Sequence, residues 1–239
     1  MSAVKPAPLP VDRRRRHQTM AEAAVAELRE AIYSGELAAG TPLRLEELAR
    51  SLGMSISPVR EAVRRLEALG LAVHAPHRGA WVSELAIEDL HDTYEVRLTL
   101  EILAVRRAAT RFTDGDAEAA RTFLDRYATA HRRGDTREAR RAHTDFHFSL
   151  YGAAGSDWLV RVIRPAWENA ERYRAASLAK RGTLGQRQRE HERILDACAR
   201  HDPDTAAVEL HRHLAVTANL VARQMGTEEL FSVPELASA

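Results

Sequence analysis

The chain has 239 residues, of which 45% are hydrophobic and 29% charged, a composition typical of a soluble globular protein long enough for two domains. Its formal net charge of +1 is too small to indicate nucleic-acid binding by itself. The single cysteine, Cys198, excludes an internal disulfide, and without a membrane-spanning apolar run or a signal peptide the protein is expected in the reducing cytoplasm.

The first region, residues 1–17, contains three prolines and the run Arg13–Arg16 without apolar periodicity, and we expect it to be disordered. Two interpretations of this basic arm remain open, because it could contact DNA phosphates or act only as a solubilising tail. A helix is predicted next, from about Thr19 to Gly35. The residues on its inward face are Ala24, Leu28, Ala31 and Ile32.

A helix, a glycine turn and a second helix are predicted between Leu43 and Leu69. The apolar residues of the first helix follow the i, i+3, i+4, i+7 pattern of one buried face: Leu45, Leu48, Ala49 and Leu52. Gly53 lies where the chain must leave this helix. The second helix is expected to begin at about Ser57, which would cap it, with Pro58 in its first turn.

The start of this second helix carries the residues that we expect to contact DNA, namely Ser55, Ser57, Arg60 and Arg64. Two short apolar strands then flank a turn whose tip residues, His77, Arg78 and Gly79, suit the phosphate backbone or the adjacent minor groove. Three helices followed by a small β-hairpin are the order of a winged helix-turn-helix, which places a helix in a DNA groove. We assign this domain to residues 18–83.

The distribution of charge agrees with that assignment. Residues 1–83 hold 12 Lys and Arg against 9 Asp and Glu, whereas the remainder holds 23 against 25, so the N-terminal part is the more basic. The alternative is a small helical core with a solvated basic face. The agreement of helix, glycine turn, capped helix and basic hairpin favours DNA binding.

The rest of the chain is helical in pattern and predicts an antiparallel α-helical bundle over residues 84–226, so that the fold is mainly α. Pro165 is expected to kink or interrupt the fourth of its helices. Residues 227–239 are predicted to be a loose tail. The six predicted helices cover Glu88–Ala109, Asp116–Arg133, Thr136–Ala153, Asp157–Ala176, Leu184–Arg200 and Pro203–Gln224.

The histidines of this bundle suggest a metal site. His143 and His147 are four residues apart and share one helical face, and His191 and His213 lie on the last two helices, which a short loop folds antiparallel. Three or four imidazoles would favour zinc or nickel over magnesium or calcium. The alternative is coincidence, since a chain with 11 histidines contains such pairs by chance.

The segment SISPVREAVRRLEALGL, from Ser55 to Leu71, and the later HRGAWV closely resemble the GntR family of bacterial transcription regulators. The resemblance implies that Arg60 contacts DNA at the start of the recognition helix. Ile56 departs from the family, most of whose members carry arginine there. Because isoleucine cannot hydrogen-bond guanine, a base contact worth about 1–3 kcal/mol of discrimination is absent or replaced by contact with a thymine methyl group. We therefore expect an operator that differs from the family's common half-site.

The second half resembles the FCD ligand-binding domain of the FadR branch of that family, through DTYEVRLTLEILAVRRAA, HTDFHFSLYGAAGSDWL, EHERILDACARHDPDTAA and HRHL. Many FCD domains bind a divalent metal through an Asp, a His four residues later and two further His. His147, His191 and His213 match these histidines, and His143 occupies the Asp position. Asp145 is turned roughly 200° away from His143 around the helix and is a poor substitute.

The FCD resemblance also implies a small carboxylate effector near the metal, assisted by an arginine. Arg97 matches that arginine, and Glu101 lies one turn later on the same face. The alternative for these two residues is an exposed i, i+4 ion pair worth only about 0.3–0.5 kcal/mol.

These observations predict a ligand-responsive transcription regulator, with repression as the expected sign, rather than an enzyme. A homodimer is expected on a pseudo-palindromic operator, because one recognition helix reads too few bases for genomic specificity. The alternative function is a metal-dependent enzyme built on the histidines. His143 is followed by Thr144, however, and not by the glutamate that a zincin-type site uses as general base.

Overall fold

The structure, a computed structural model, describes residues 19–75, 79–177 and 184–235. The basic arm predicted for residues 1–17 and the wing residues His77 and Arg78 lie outside the described residues. Within the described ranges the elements are α1 (Met20–Ser34), α2 (Leu45–Leu52), α3 (Ile56–Ala68), β1 (Ala72–Ala75), β2 (Gly79–Val82), α4 (Ile87–Ala109), α5 (Asp114–Arg132), α6 (Thr136–Gly152), α7 (Asp157–Ser177), α8 (Leu184–Ala199) and α9 (Pro203–Gln224).

The first three helices and the hairpin form the predicted winged helix-turn-helix. A capping box between Thr19 and Glu22 fixes the start of α1. Gly53 ends α2 with φ +63°, a left-handed conformation that costs glycine no Cβ clash. One apolar core joins these elements, and its buried members include Leu28, Leu48, Val59, Leu66 and Leu71.

The wing is tied to the segment before α2. Strands β1 and β2 pair antiparallel, with Ala72 opposite Val82 and Ala75 opposite Gly79. The backbone N–H of Leu43 donates to the Ala80 carbonyl at 2.8 Å, so the segment before α2 pairs with β2 along its free edge. A two-stranded hairpin is marginal by itself, so this attachment helps to hold the wing beside α3.

The start of α3 differs from the sequence prediction. The N-cap is Ser55 rather than Ser57, and its side chain makes no capping hydrogen bond. The reason is Pro58, which occupies the third helical position and lacks the N–H that a capping oxygen would accept. The helix begins about one residue earlier than predicted, with Ile56 as its first residue.

Helices α4 to α9 build the predicted bundle, with ends that agree with the sequence prediction to within two residues. Its core contains large buried side chains from four different helices, including Tyr94, Phe146, Trp167 and Leu210. Helix α7 continues through Pro165 without interruption. Pro165 and Arg161, whose carbonyl loses its N–H donor, both lie on the exposed face, where water can replace the missing bond.

The prediction of a loose C-terminal tail is wrong for residues 227–235. The Asn219 side chain accepts hydrogen bonds from the backbone N–H groups of Leu230 and Phe231 at 2.9 and 3.0 Å and donates to the Phe231 carbonyl at 2.7 Å. The Phe231 ring also stacks on His91 of α4, with ring centroids 5.1 Å apart. Composition could not reveal this attachment, because it depends on the position of one buried amide on α9.

Helix α7 joins the two domains. Arg172 donates to the carbonyl oxygens of Ser83 and Glu84 in the connector after β2, at 2.9 and 2.7 Å. The Tyr173 hydroxyl donates to the Ala86 carbonyl at 3.0 Å. The connector is therefore held against the bundle by backbone contacts, which limits the freedom of the winged domain.

We predict that Asn219→Ala lowers the free energy of unfolding of the full chain by about 1–3 kcal/mol, because it removes three hydrogen bonds to buried or half-buried partners. Urea denaturation followed by circular dichroism measures this change. In a chain shortened after Gly226 the same substitution should cost clearly less, since the tail groups are gone. An equal cost in both chains would contradict the proposed attachment.

Candidate metal centre and DNA-binding surface

Four histidines converge inside the bundle. His143 and His147 come from α6, His191 from α8 and His213 from α9, and all four are buried. One ring nitrogen from each lies within 4.8 Å of those of the others. The i, i+4 spacing on α6 brings the first two together, whereas the antiparallel packing of α8 and α9 supplies the other two.

The hydrogen bonding and protonation of His143 and His147 are those expected of metal ligands. His143 Nδ1 and His147 Nε2 are buried and have no hydrogen-bond partner among the described residues. That condition costs free energy unless something binds them. Burial, with nearby Arg174, lowers the pKa of His143 well below its ordinary value, and burial, with His191, does the same for His147. The rings are therefore neutral at physiological pH, which is the form that coordinates a cation.

A second row of side chains orients two of these rings. The Tyr151 hydroxyl lies 3.1 Å from His147 Nδ1, and Glu190 Oε2 lies 2.9 Å from His213 Nδ1. Each contact occupies the Nδ1 atom and leaves Nε2 of the same ring for the cluster. Hydrogen bonds of this kind fix the tautomer and the orientation of histidine ligands.

The predicted residues Arg97 and Glu101 connect to this second row and are not an exposed ion pair. The Tyr151 hydroxyl donates to Glu101 at 2.5 Å, and Glu101 accepts from Arg97 Nε at 2.6 Å. Arg97 is 5% exposed and Glu101 fully buried. Burial alone would lower the pKa of Arg97, but the Glu101 carboxylate raises it above its ordinary value, so the guanidinium stays charged.

Trp167 of α7 packs directly against the cluster. Its ring centroid lies 4.9 Å from that of His147 and 5.5 Å from that of His143. The guanidinium carbon of Arg97 lies 4.7 Å from the same ring, a distance suited to a cation–π contact. Aromatic walls of this kind keep water away from a buried site.

Sequence reasoning missed the roles of Tyr151 and Glu190. Tyr151 has a local signal, because it lies four residues after His147 and hence on the same helical face. Glu190 has none, because its contact with His213 depends on how α8 packs against α9. Asp145 turns away from the cluster as predicted and lies 3.5 Å from Arg126 on the surface.

The expected DNA-contacting residues of α3 share one exposed surface. Ser55, Ser57, Arg60 and Arg64 are exposed, and Ile56 is 36% exposed at the first helical position. A cleft of about 510 Å³ separates α3 from the wing. Besides Arg60, Arg64 and Gly79, its lining includes Arg44 and His74, two basic or titratable residues that the sequence analysis did not single out.

Comparison with known protein families gives this architecture a name. Residues 20–82 match the family described as "Bacterial regulatory proteins, gntR family", and residues 92–216 match the FCD domain. The chain belongs to the GntR family and carries an FCD domain. It is a transcription regulator with a winged helix-turn-helix and a helical partner domain, as the resemblance in the sequence predicted.

Individual relatives agree with this assignment. A probable D-xylose utilization operon transcriptional repressor from Paenarthrobacter nicotinovorans is 34% identical over 82% of this chain and 85% of its own length. The regulator BphR of Paraburkholderia xenovorans (strain LB400) is 29% identical over 87% of each chain. The solved structure of E. coli McbR/YncC shares the fold, with a TM-score of 0.76, 22% identity and coverage of 87% of this chain and 99% of the other.

None of the described helices is long and apolar enough to cross a membrane.

We predict that Arg97→Met lowers the free energy of unfolding by about 3–5 kcal/mol, because it leaves the Glu101 carboxylate buried without its ion-pair partner. The double substitution Arg97→Met, Glu101→Gln should recover a large part of this loss. As a matched control, Arg223→Met removes an exposed partner of Glu229 and should cost less than about 1 kcal/mol. Urea denaturation of metal-free protein measures all three, and similar costs for both arginines would contradict the burial argument.

Proposed function

We propose that this GntR-family regulator is a repressor that binds a pseudo-palindromic operator as a homodimer and responds to a small organic acid in its helical domain. One observation carries the proposal. The chain combines an exposed helix-turn-helix surface with four buried, convergent histidines in the adjoining bundle, and one helix, α7, contacts both domains. This arrangement suits a sensor whose occupancy changes the DNA-binding half.

The recognition surface is the N-terminal part of α3. Free backbone N–H groups and the helix dipole favour phosphate binding at this end of a helix. Arg60 and Arg64 lie one and two helical turns after the first residue of α3, where their side chains would reach base edges. Ser55 and Ser57 supply hydroxyl donors, and we include His77, Arg78 and Gly79 as wing contacts. The exposed Ile56 replaces the arginine of most family members, which favours a thymine methyl group over guanine at that position of the half-site.

Self-association is part of the proposal, because a palindromic operator requires two recognition helices about one helical turn of DNA apart. The helical domain offers exposed apolar side chains for this purpose. Val96 and Leu103, seven residues apart on one face of α4, are 44% and 40% exposed, and Trp158 of α7 is 71% exposed. Apolar residues at such exposure are typical of surfaces that pack against another chain.

The four histidines His143, His147, His191 and His213 are proposed to bind one divalent metal, zinc or nickel. Imidazole nitrogen is a preferred donor for both ions, and the unpartnered nitrogens of His143 and His147 support a bound cation. Because all four proposed ligands are imidazoles, the site lacks the carboxylate that usually offsets part of the metal charge. Bound metal would act as a Lewis acid toward the carboxylate of an effector.

Arg97 and Glu101 are proposed to border the effector site. The guanidinium is charged, buried and held against Trp167, so it faces the same aromatic wall as the histidines. Glu101 fixes its orientation through two hydrogen bonds, at 2.6 and 3.2 Å. An anionic effector would thus meet a preoriented positive group beside the metal, which favours carboxylates over neutral metabolites.

We predict that the protein protects a palindromic segment of DNA upstream of its own gene and that Arg60→Ala weakens this binding by roughly tenfold to a hundredfold, through loss of about 1–3 kcal/mol of base contact. Quantitative gel shifts at fixed salt measure the effect. Arg121→Ala, an exposed arginine of α5, serves as the control and should bind like the parent. If the Arg60 substitution left the DNA affinity unchanged, the assignment of α3 as the recognition helix would be wrong.

We predict about one zinc or nickel ion per chain in protein purified without an affinity tag, and its loss in His191→Ala. Elemental analysis measures the metal, and thermal unfolding with and without a chelator measures the accompanying stabilisation. His211→Ala, which changes a histidine of α9 outside the cluster, should retain the ion. A parent protein that is metal-free and unaffected by the chelator would refute the metal site but not the DNA-binding role.

A further inference from the structure

A second polar cleft lies between the two domains, separate from the surface facing DNA. Its walls come from α1 of the winged domain and from α6 and α7 of the bundle, and its volume is about 210 Å³. That volume accommodates a small organic or inorganic ion. The Trp167 side chain forms part of the wall, so one residue borders both this cleft and the histidine cluster.

The lining of the cleft is rich in guanidinium groups. Five arginines outnumber four carboxylates among the lining residues. The arginines are Arg29, Arg137, Arg140, Arg141 and Arg164, and the carboxylates are Glu30, Asp145, Glu168 and Glu171. Charge is therefore not balanced within the cleft itself.

Two of the four carboxylates are also engaged by arginines outside the lining. Asp145 lies 3.5 Å from Arg126, and Glu171 accepts two hydrogen bonds from Arg174, at 2.6 and 2.5 Å. Arg137 of the lining is shared in the same way, because it pairs with Glu27 outside the cleft at 2.9 Å. The clearest positive excess inside the cleft therefore lies at the arginines that have no second carboxylate nearby.

The other two carboxylates hold the domains together. Glu168 of α7 accepts from Arg29 at 2.8 Å and from the Tyr33 hydroxyl at 2.7 Å, both on α1. Glu30 of α1 accepts from Arg140 of α6. Arg141 is exposed and forms no ion pair with any carboxylate of the described residues. Its guanidinium is therefore available to a ligand in the cleft.

Arg140 is the buried member of the set. It is 8% exposed, and its Nε atom is shielded from solvent and has no hydrogen-bond partner in the part of the chain that the structure describes. Burial, with the nearby positive charge of Arg174, lowers the pKa of Arg140 below its ordinary value, although Glu171 acts in the opposite direction. A guanidinium that has lost water and gained only one close carboxylate is stabilised by a further anion.

We propose that this interdomain cleft binds a small oxyanion carrying two negative charges, either a phosphate group or a dicarboxylate. Guanidinium groups match the oxygen geometry of both ligands through paired, charge-assisted hydrogen bonds. The bound ion would bridge Arg29 of α1 with Arg140 and Arg141 of α6, and so join the winged domain to the bundle. This site is distinct from the proposed effector site at the histidines and supplies a second input to the regulator.

The test uses Trp167 as its reporter. In the full chain with Trp81→Phe and Trp158→Phe, Trp167 is the single tryptophan, because the sequence contains three. This protein, stripped of metal by dialysis against a chelator, is titrated with inorganic phosphate and with succinate at constant ionic strength, with chloride as the reference salt. We expect a saturable fluorescence change with one of the two ions, and calorimetry should give the same affinity.

Arg141→Gln should weaken this binding at least tenfold while leaving the fold intact, because Arg141 breaks no ion pair when it is replaced. Arg121→Gln on α5 is the matched control and should bind like the parent. Saturable binding of phosphate identifies the ligand as a phosphate-bearing compound, and saturable binding of succinate identifies it as a dicarboxylate. Either result supports the site.

Three outcomes would overturn the proposal: a change that does not saturate, a change that chloride reproduces, or equal affinity in Arg141→Gln and the parent. None of these bears on the metal centre, because the titration is done without metal. Operator binding is likewise measured separately, so failure of the cleft leaves the proposed repressor function in place.

Discussion

The burial of four imidazole rings next to one another is the constraint on which the structure of the helical domain depends. Removing a polar ring from water costs free energy unless its nitrogens gain partners. Protein groups meet part of this requirement, through Tyr151 on His147 and Glu190 on His213. Nitrogens of His143 and His147 that point into the cluster have no protein partner. These nitrogens support the proposal that the centre of the bundle holds a metal ion.

The side chains around the cluster meet the same requirement, because each buried charge among them has a partner of opposite charge. Glu101 supports Tyr151 and is itself balanced by Arg97 on the same helix, and Arg174, which raises the local positive potential, is balanced by Glu171 three residues earlier. Pairing within one helix keeps each buried charge compensated whatever the neighbouring helices do. The surroundings of the cluster can then tolerate a change in its occupancy without exposing an uncompensated charge.

Helix α7 is the physical route from this centre to the DNA-binding half. Trp167 packs on the rings of His143 and His147, and the next residue, Glu168, accepts hydrogen bonds from Arg29 and Tyr33 of α1. One turn later Arg172 holds the connector. Under the proposed function, a shift at Trp167 would be passed to both contacts, because a helix moves as a rigid element. The interdomain cleft lies on the same path, because Trp167 also forms one of its walls.

Periodicity, capping residues and glycine breaks were enough to predict both domains and the six bundle helices, since these signals act within one or two helical turns. The i, i+4 spacing suggested the pair His143 and His147, and family resemblance supported His191 and His213 as the other two histidines. Family resemblance added the pairing of the two domains. Helix α3 begins about one residue earlier than predicted, and Pro58 at its third position leaves the Ser55 side chain without a backbone N–H to cap. The burial of Arg97 and Glu101, the Glu190 contact, the attachment of the tail to Asn219 and the arginine-lined cleft were decided by tertiary structure alone. Each of them depends on how separate elements pack together, and no local pattern records which faces of two helices will meet.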